Sequence, residues 1–130
     1  MRAVSAAPRH YVHIDEASVA RLLRELGGDV PAGVRFLNDF VMAWQGRVAR
    51  LLDAAERRDP EDVTTVLLSV RTASGMLGAT ALFSAATDLQ REVAATRQVD
   101  GPAVHRFVEV GTASCHELVD LVHRLEAAPG

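Results

Sequence analysis

Six side chains in this sequence carry an imidazole or a thiol able to act as nucleophile or metal ligand: His10, His13, His105, His116, His123 and Cys115. His10 and His13 form an H-x-x-H pair, but two ligands without further ones make no metal site, and none is expected. His105, His116 and His123 lie on one long helical segment, about 100–120° from its apolar stripe. They are boundary or solvent-facing residues, with Asp120 between the last two at local helical spacing. His116 and His123 are two turns apart, about 10 Å, too far to share one ion. Cys115 falls within the apolar stripe and reads as a buried thiol. As the single cysteine, it excludes an internal disulfide.

These residues must be positioned by helices. The 130-residue chain fits one domain. Its composition is 48% hydrophobic, 24% charged and 5% aromatic, so the core must be mostly Leu, Val and Ala. The net charge of -3 argues against nucleic acid, which calls for a basic stripe. All 14 basic residues are arginine, a pattern of GC-rich coding. No run approaches the roughly 20 apolar residues of a membrane span. The first residues lack the continuous apolar segment of a signal peptide, so a cytoplasmic location is expected.

Residues 1–14 read as a loose, flexible extension, and 15–130 as one helical domain. Asp15 can cap a short helix closed by Gly27 and Gly28. Pro31 can sit in the first turn of a long helix reaching about Arg58, with Val34, Leu37, Val41, Trp44, Val48, Leu51 and Ala55 inward. The run Asp59-Pro60-Glu61-Asp62 stops that helix and starts a third, which runs to about Met76 and is broken by Gly78. A fourth spans about Ala79 to Thr96, with Leu82, Ala86, Leu89 and Val93 inward. Pro102 opens the last, whose stripe is Val104, Val108, Gly111, Cys115, Leu118, Val122 and Leu125. With no convincing strand and short connections, the fold class is all-α. The expectation is an antiparallel up-down four-helix bundle with a short additional N-terminal helix.

The third helix carries an oddity. At about 100° per residue, Val63, Val66, Leu67, Val70, Ala73 and Leu77 share one direction to within roughly 60°. Leu68 lies roughly 170° away, fully outward, with Glu61, Thr64, Arg71, Thr72 and Gly75 beside it. A glycine inside a helix costs about 1 kcal/mol against alanine. Gly75 therefore either leaves room for a group that approaches this face or loosens a helix about to end.

The stretch LSVRTASGMLGATAL resembles the signature of histidine-containing phosphotransfer (HPt) domains, a pattern of the type H-x-L-K-G-S-x-x-x-x-G-A-x-x-L. Leu68 stands at the phosphoacceptor histidine, Val70 at the buried leucine, Arg71 at the lysine and Thr72 at the first glycine. Gly78, Ala79 and Leu82 match the later positions, and Asp88–Gln90 is similar to the x-L-E that follows. The likeness covers about residues 15–127 and implies the same helical bundle.

It also implies a lost reaction. An HPt domain holds a phosphoryl group on an exposed imidazole and exchanges it with an aspartate of a receiver domain; leucine has no lone pair to do so. Thr72 crowds the space that the family's glycine leaves for the receiver. Arg71 keeps a charge able to steer an acidic partner. The resemblance thus implies a pseudo-phosphotransfer protein, with no catalytic residue and no cofactor. It would dock a response-regulator receiver or a histidine kinase through Thr64, Leu68, Arg71, Thr72 and Gly75. Two alternatives stand beside it. One is phosphotransfer at a displaced histidine, His105, His116 or His123. The other is a homodimer seam in which Met76 and Phe83 join Leu68 in an apolar patch.

Overall fold

The computed structural model describes residues 11–127. They form five helices, α1 (Glu16–Glu25), α2 (Val30–Glu56), α3 (Pro60–Leu77), α4 (Thr80–Thr96) and α5 (Gly101–Ala127), and no strand is present among the described residues. His10 and residues 128–130 lie outside them.

Helix ends follow the local chemistry of the sequence. The Asp29 carboxylate accepts the Ala32 amide at 3.2 Å, and Asp59 accepts that of Asp62 at 3.1 Å, each supplying one of the orphan donors of a first turn. Gly27 and Gly28 turn left-handed after α1, and Gly78 does so at φ +76° after α3. A Cβ at Gly78 would stand 2.6 Å from the Ser18 Cβ, so the start of α1 also requires glycine there. Asp15 flanks α1 as expected but makes no side-chain cap. At the elbow between α2 and α3, Arg57 reaches Asp53, Asp59 and Asp62 at 2.9, 3.1 and 2.7 Å, and Arg50 reaches Asp62 at 2.8 Å.

α2 packs against α3 and α5, α4 packs against α3 and α5, and α1 touches α2 and α3. Trp44 is 3% exposed. Its indole lies on Gly111, where a side chain would collide with the ring, and its centroid is 6.0 Å from that of Phe107. The Leu37, Val63, Leu67, Val70, Leu77, Leu82 and Leu118 side chains fill the centre.

The expected stripes are displaced in places. Val41, Val48, Ala55, Ala73, Val108 and Leu125 are only half-buried, whereas Phe40, Ala54, Phe107 and Leu121 are core. Each long helix touches two other long helices, so it buries a wedge wider than a single line of 3–4 spacing. Ser74 is fully buried too, its hydroxyl donating to the Val70 carbonyl at 2.7 Å.

The loose extension expected over residues 1–14 is not what residues 11–14 form. The His13 and Ile14 amides donate to Glu117 Oε1 at 2.8 and 3.2 Å, and Tyr11 Oη donates to Asp120 at 2.8 Å while accepting from Arg124 at 2.9 Å. The His13 carbonyl accepts the Ala81 amide at 3.1 Å, which serves α4 where Ala79 offers no side-chain cap. Asp15 N–H donates to the Gly78 carbonyl at 2.8 Å. Residues 11–15 thus strap α5 to the α3–α4 turn. Among the described residues, no helix is long and apolar enough to cross a membrane.

Candidate functional site

The outer face of α3 carries Leu68 as the helical phase requires: it is exposed, at 44%. Thr72 and Gly75 are exposed on the same helix, and Thr64 and Arg71 are half-buried. The five residues expected at a partner surface therefore lie along one helix, but a sixth residue, from α4, organises them. The Phe83 ring lies over Gly75, where an added Cβ would stand 3.2 Å from Cδ1 and 3.3 Å from Cε1. Arg71 sets its guanidinium 5.6 Å from the centroid of that ring and its Nη1 3.5 Å from Gln90 Oε1. Gly75 thus makes room for a group that does come close, and that group is the protein's own Phe83.

The surroundings are nearly free of charge. Residues 63–87, which include most of α3 and the first half of α4, carry one charged side chain, Arg71, although 24% of the chain is charged. The exposed positions there are hydroxyls (Thr65, Ser69, Thr72, Thr80, Ser84), Gly75 and three large apolar side chains: Leu68, Met76 at 55% and Phe83 at 36%. Depletion of charge around an aromatic and an arginine is the compositional mark of an interface centre. That signal lies in the sequence as the gap between Asp62 and Asp88. The role of Phe83 does not, because its pairing with Gly75 depends on how the Gly78 turn folds α4 back.

Chemically, this face offers no acceptor for a phosphoryl group in the manner of imidazole. It holds no histidine and no cysteine, and no carboxylate lies between Asp62 and Asp88 to act as a base for the hydroxyl of Thr72. His105, His116 and His123 are exposed on α5, which does not touch α3. His13 Nδ1 lies 2.6 Å from Glu117 Oε2. Burial alone pushes the Glu117 carboxyl upward, but hydrogen bonds from the His13 side chain and backbone outweigh it and hold the group below the ordinary 4.5. Asp120, between His116 and His123, takes the Tyr11 hydroxyl.

Cys115 is buried, and burial pushes its thiol up to about 11, with Arg47 opposing. No group of three or more His, Cys, Asp or Glu side chains is placed to hold a metal among the described residues. No protein-family model, curated protein or solved structure matches the chain, so the motif residues and this geometry carry the functional reading alone.

Proposed function

We propose that this protein is an HPt-like signalling module of the two-component phosphorelay type that has lost its acceptor histidine. It docks a receiver domain or a histidine kinase through the outer face of α3 without carrying phosphate. The observation that carries the reading is the exposed Leu68 at the acceptor position of the motif, set in a two-helix surface whose one charge is Arg71. In this reading the four long helices form an antiparallel up-down bundle in the cytoplasm, with α1 laid across one end. The short connections and the contacts of α2 with α3, α3 with α4, α4 with α5 and α5 with α2 support that arrangement.

Leu68 and the Phe83 edge supply desolvated apolar area to the partner. Arg71, stacked on Phe83, offers a guanidinium to a carboxylate with no neighbouring acid to compete. Such a protein competes with an active phosphotransfer protein for the same receiver, or tethers a signalling complex.

The test is binding of the native chain to the receiver domains and kinase phosphoacceptor domains of its own genome, with and without phosphoryl donor. Binding to one of them is expected, weakened about tenfold or more by Leu68→Glu, about 1.4 kcal/mol. No label should be retained on the native chain. Failure to bind any of them would remove the proposal. The same exposed Leu68, Met76 and Phe83 favour a second reading, a seam between two copies, and a dimer in solution that Leu68→Glu dissociates would replace the docking reading with it. Label mapped to His105, His116 or His123 would instead establish a displaced acceptor.

A further inference from the structure

Between α4 and α5 runs an open groove of about 440 Å³. α4 lines it with Ala85, Asp88, Leu89 and Glu92, and α5 with Ala103, Arg106, Phe107 and Val110. Each set falls at i, i+3, i+4 and i+7, so both helices turn the same kind of face to the groove over two turns, about 10 Å. Leu89 and Phe107 form its buried floor. Ala85, Ala103 and Val110 are half-buried, and the two alanines leave the space that larger side chains would fill. The rims are charged and exposed, with Asp88 and Glu92 one turn apart on α4 and Arg106 on α5. None of these three makes an ion pair or a side-chain hydrogen bond among the described residues. At the α2–α3 elbow, by contrast, Arg50 and Arg57 take three carboxylates within 3.1 Å.

We propose that this groove receives one amphipathic helix of a partner protein. Its apolar stripe lies on the floor, basic side chains one turn apart meet Asp88 and Glu92, and a carboxylate meets Arg106. An apolar centre inside a charged rim is the anatomy of a protein interface. Two facing rows of 3–4 spacing are what a third helix packs into, ridge into groove. The charges set the flanks of the occupant, because a rim of two acids attracts Lys or Arg and repels Asp or Glu. The same two acids disfavour nucleic acid and an anionic membrane in this place. The proposal does not rest on the phosphorelay reading, since no residue of the outer face of α3 lines the groove.

The probe is a designed amphipathic peptide of about five helical turns, with leucine at 3–4 spacing, lysine along one flank and glutamate along the other. The isotope-labelled full chain is titrated with it and followed by its amide resonances. Saturable shifts should map to residues 85–92 and 103–110. A peptide with glutamate on both flanks should bind at least about tenfold more weakly, and added salt should narrow that difference. Asp88→Asn with Glu92→Gln should narrow it too. Ala85→Arg, which fills the groove with a good helix former, should lose binding in a chain that circular dichroism shows folded. Equal binding of the two peptides at low salt would overturn the proposal without any variant. So would the absence of shifts, shifts that map to Leu68 and Phe83 instead, or binding that persists unchanged in a folded Ala85→Arg protein.

Discussion

The Phe83 ring lies against Gly75, its nearest atom 3.2 Å from where a Cβ of residue 75 would stand, with the Arg71 guanidinium 5.6 Å from the ring centroid. Gly75→Ala thus sets two effects against each other. Alanine gains about 1 kcal/mol of helix propensity, and the ring must shift by a few tenths of an ångström or more. Gly75→Ala should therefore change stability little in the native background but stabilise a Phe83→Ala background by about 1 kcal/mol. A double-mutant cycle by urea unfolding reads the difference. Equal effects in the two backgrounds would show that Phe83 does not rest on Gly75.

Placing an imidazole at the outward position should restore part of the lost chemistry. Leu68→His would present its ring to solvent near Arg71, which can pair with phosphate oxygens. Leu68→His with Thr72→Gly should accept more label from a phosphorylated receiver than Leu68→His alone. Thr72→Gly should cost roughly 0.3–0.5 kcal/mol of helix propensity. Label transfer followed by acid lability checks both, since a phosphoramidate is acid-labile. A folded double variant that stays unlabelled would mean that more than the histidine has been lost.

Gly111 faces the Trp44 indole directly, so a methyl group there has nowhere to go without moving the ring. Gly111→Ala should destabilise by about 1–3 kcal/mol despite its better helix propensity. Trp44 is the only tryptophan, so its emission should shift in the same variant. An unchanged midpoint and spectrum would contradict the close approach of α2 and α5.

Glu117 gives the strap an acid dependence of known sign. Its folded carboxyl titrates below the ordinary 4.5, so its contribution to stability is present above that value and is lost as pH falls through the folded one. Urea unfolding between about pH 6 and pH 3 should show a decline in stability that is shallower in Glu117→Gln. Identical acid limbs would leave Glu117 without a part in holding residues 11–14.

Much of this was legible in the sequence because it is local. Asp59 caps the helix it precedes, Gly78 ends α3, and a 100° rotation per residue places Leu68 outward without reference to any other part of the chain. What escaped is relational. Gly75 shows that room is left on the face, but only the return of α4 shows that Phe83 fills it. Phe107 and Phe40 lie beside the expected stripes, and a single line of 3–4 spacing does not reveal which second neighbour a helix will meet. His13 and Tyr11 sit in a segment with little periodicity, and their partners Glu117 and Asp120 are more than a hundred residues away.

That last separation has a kinetic meaning. The α3–α4 hairpin closes through neighbours in sequence, whereas the strap needs the ends of the folded chain to meet, with His13 and Glu117 104 positions apart. Residues 11–15 are therefore expected to dock on α5 after the hairpin closes, and on a ribosome only once Glu117 has emerged. The Ala81 amide takes its acceptor, the His13 carbonyl, from the same strap. Pulsed hydrogen exchange during refolding should find Ala81 protected later than the α3 amides around Val70. The start of α4 would thus be completed last, by a segment from the other end of the sequence.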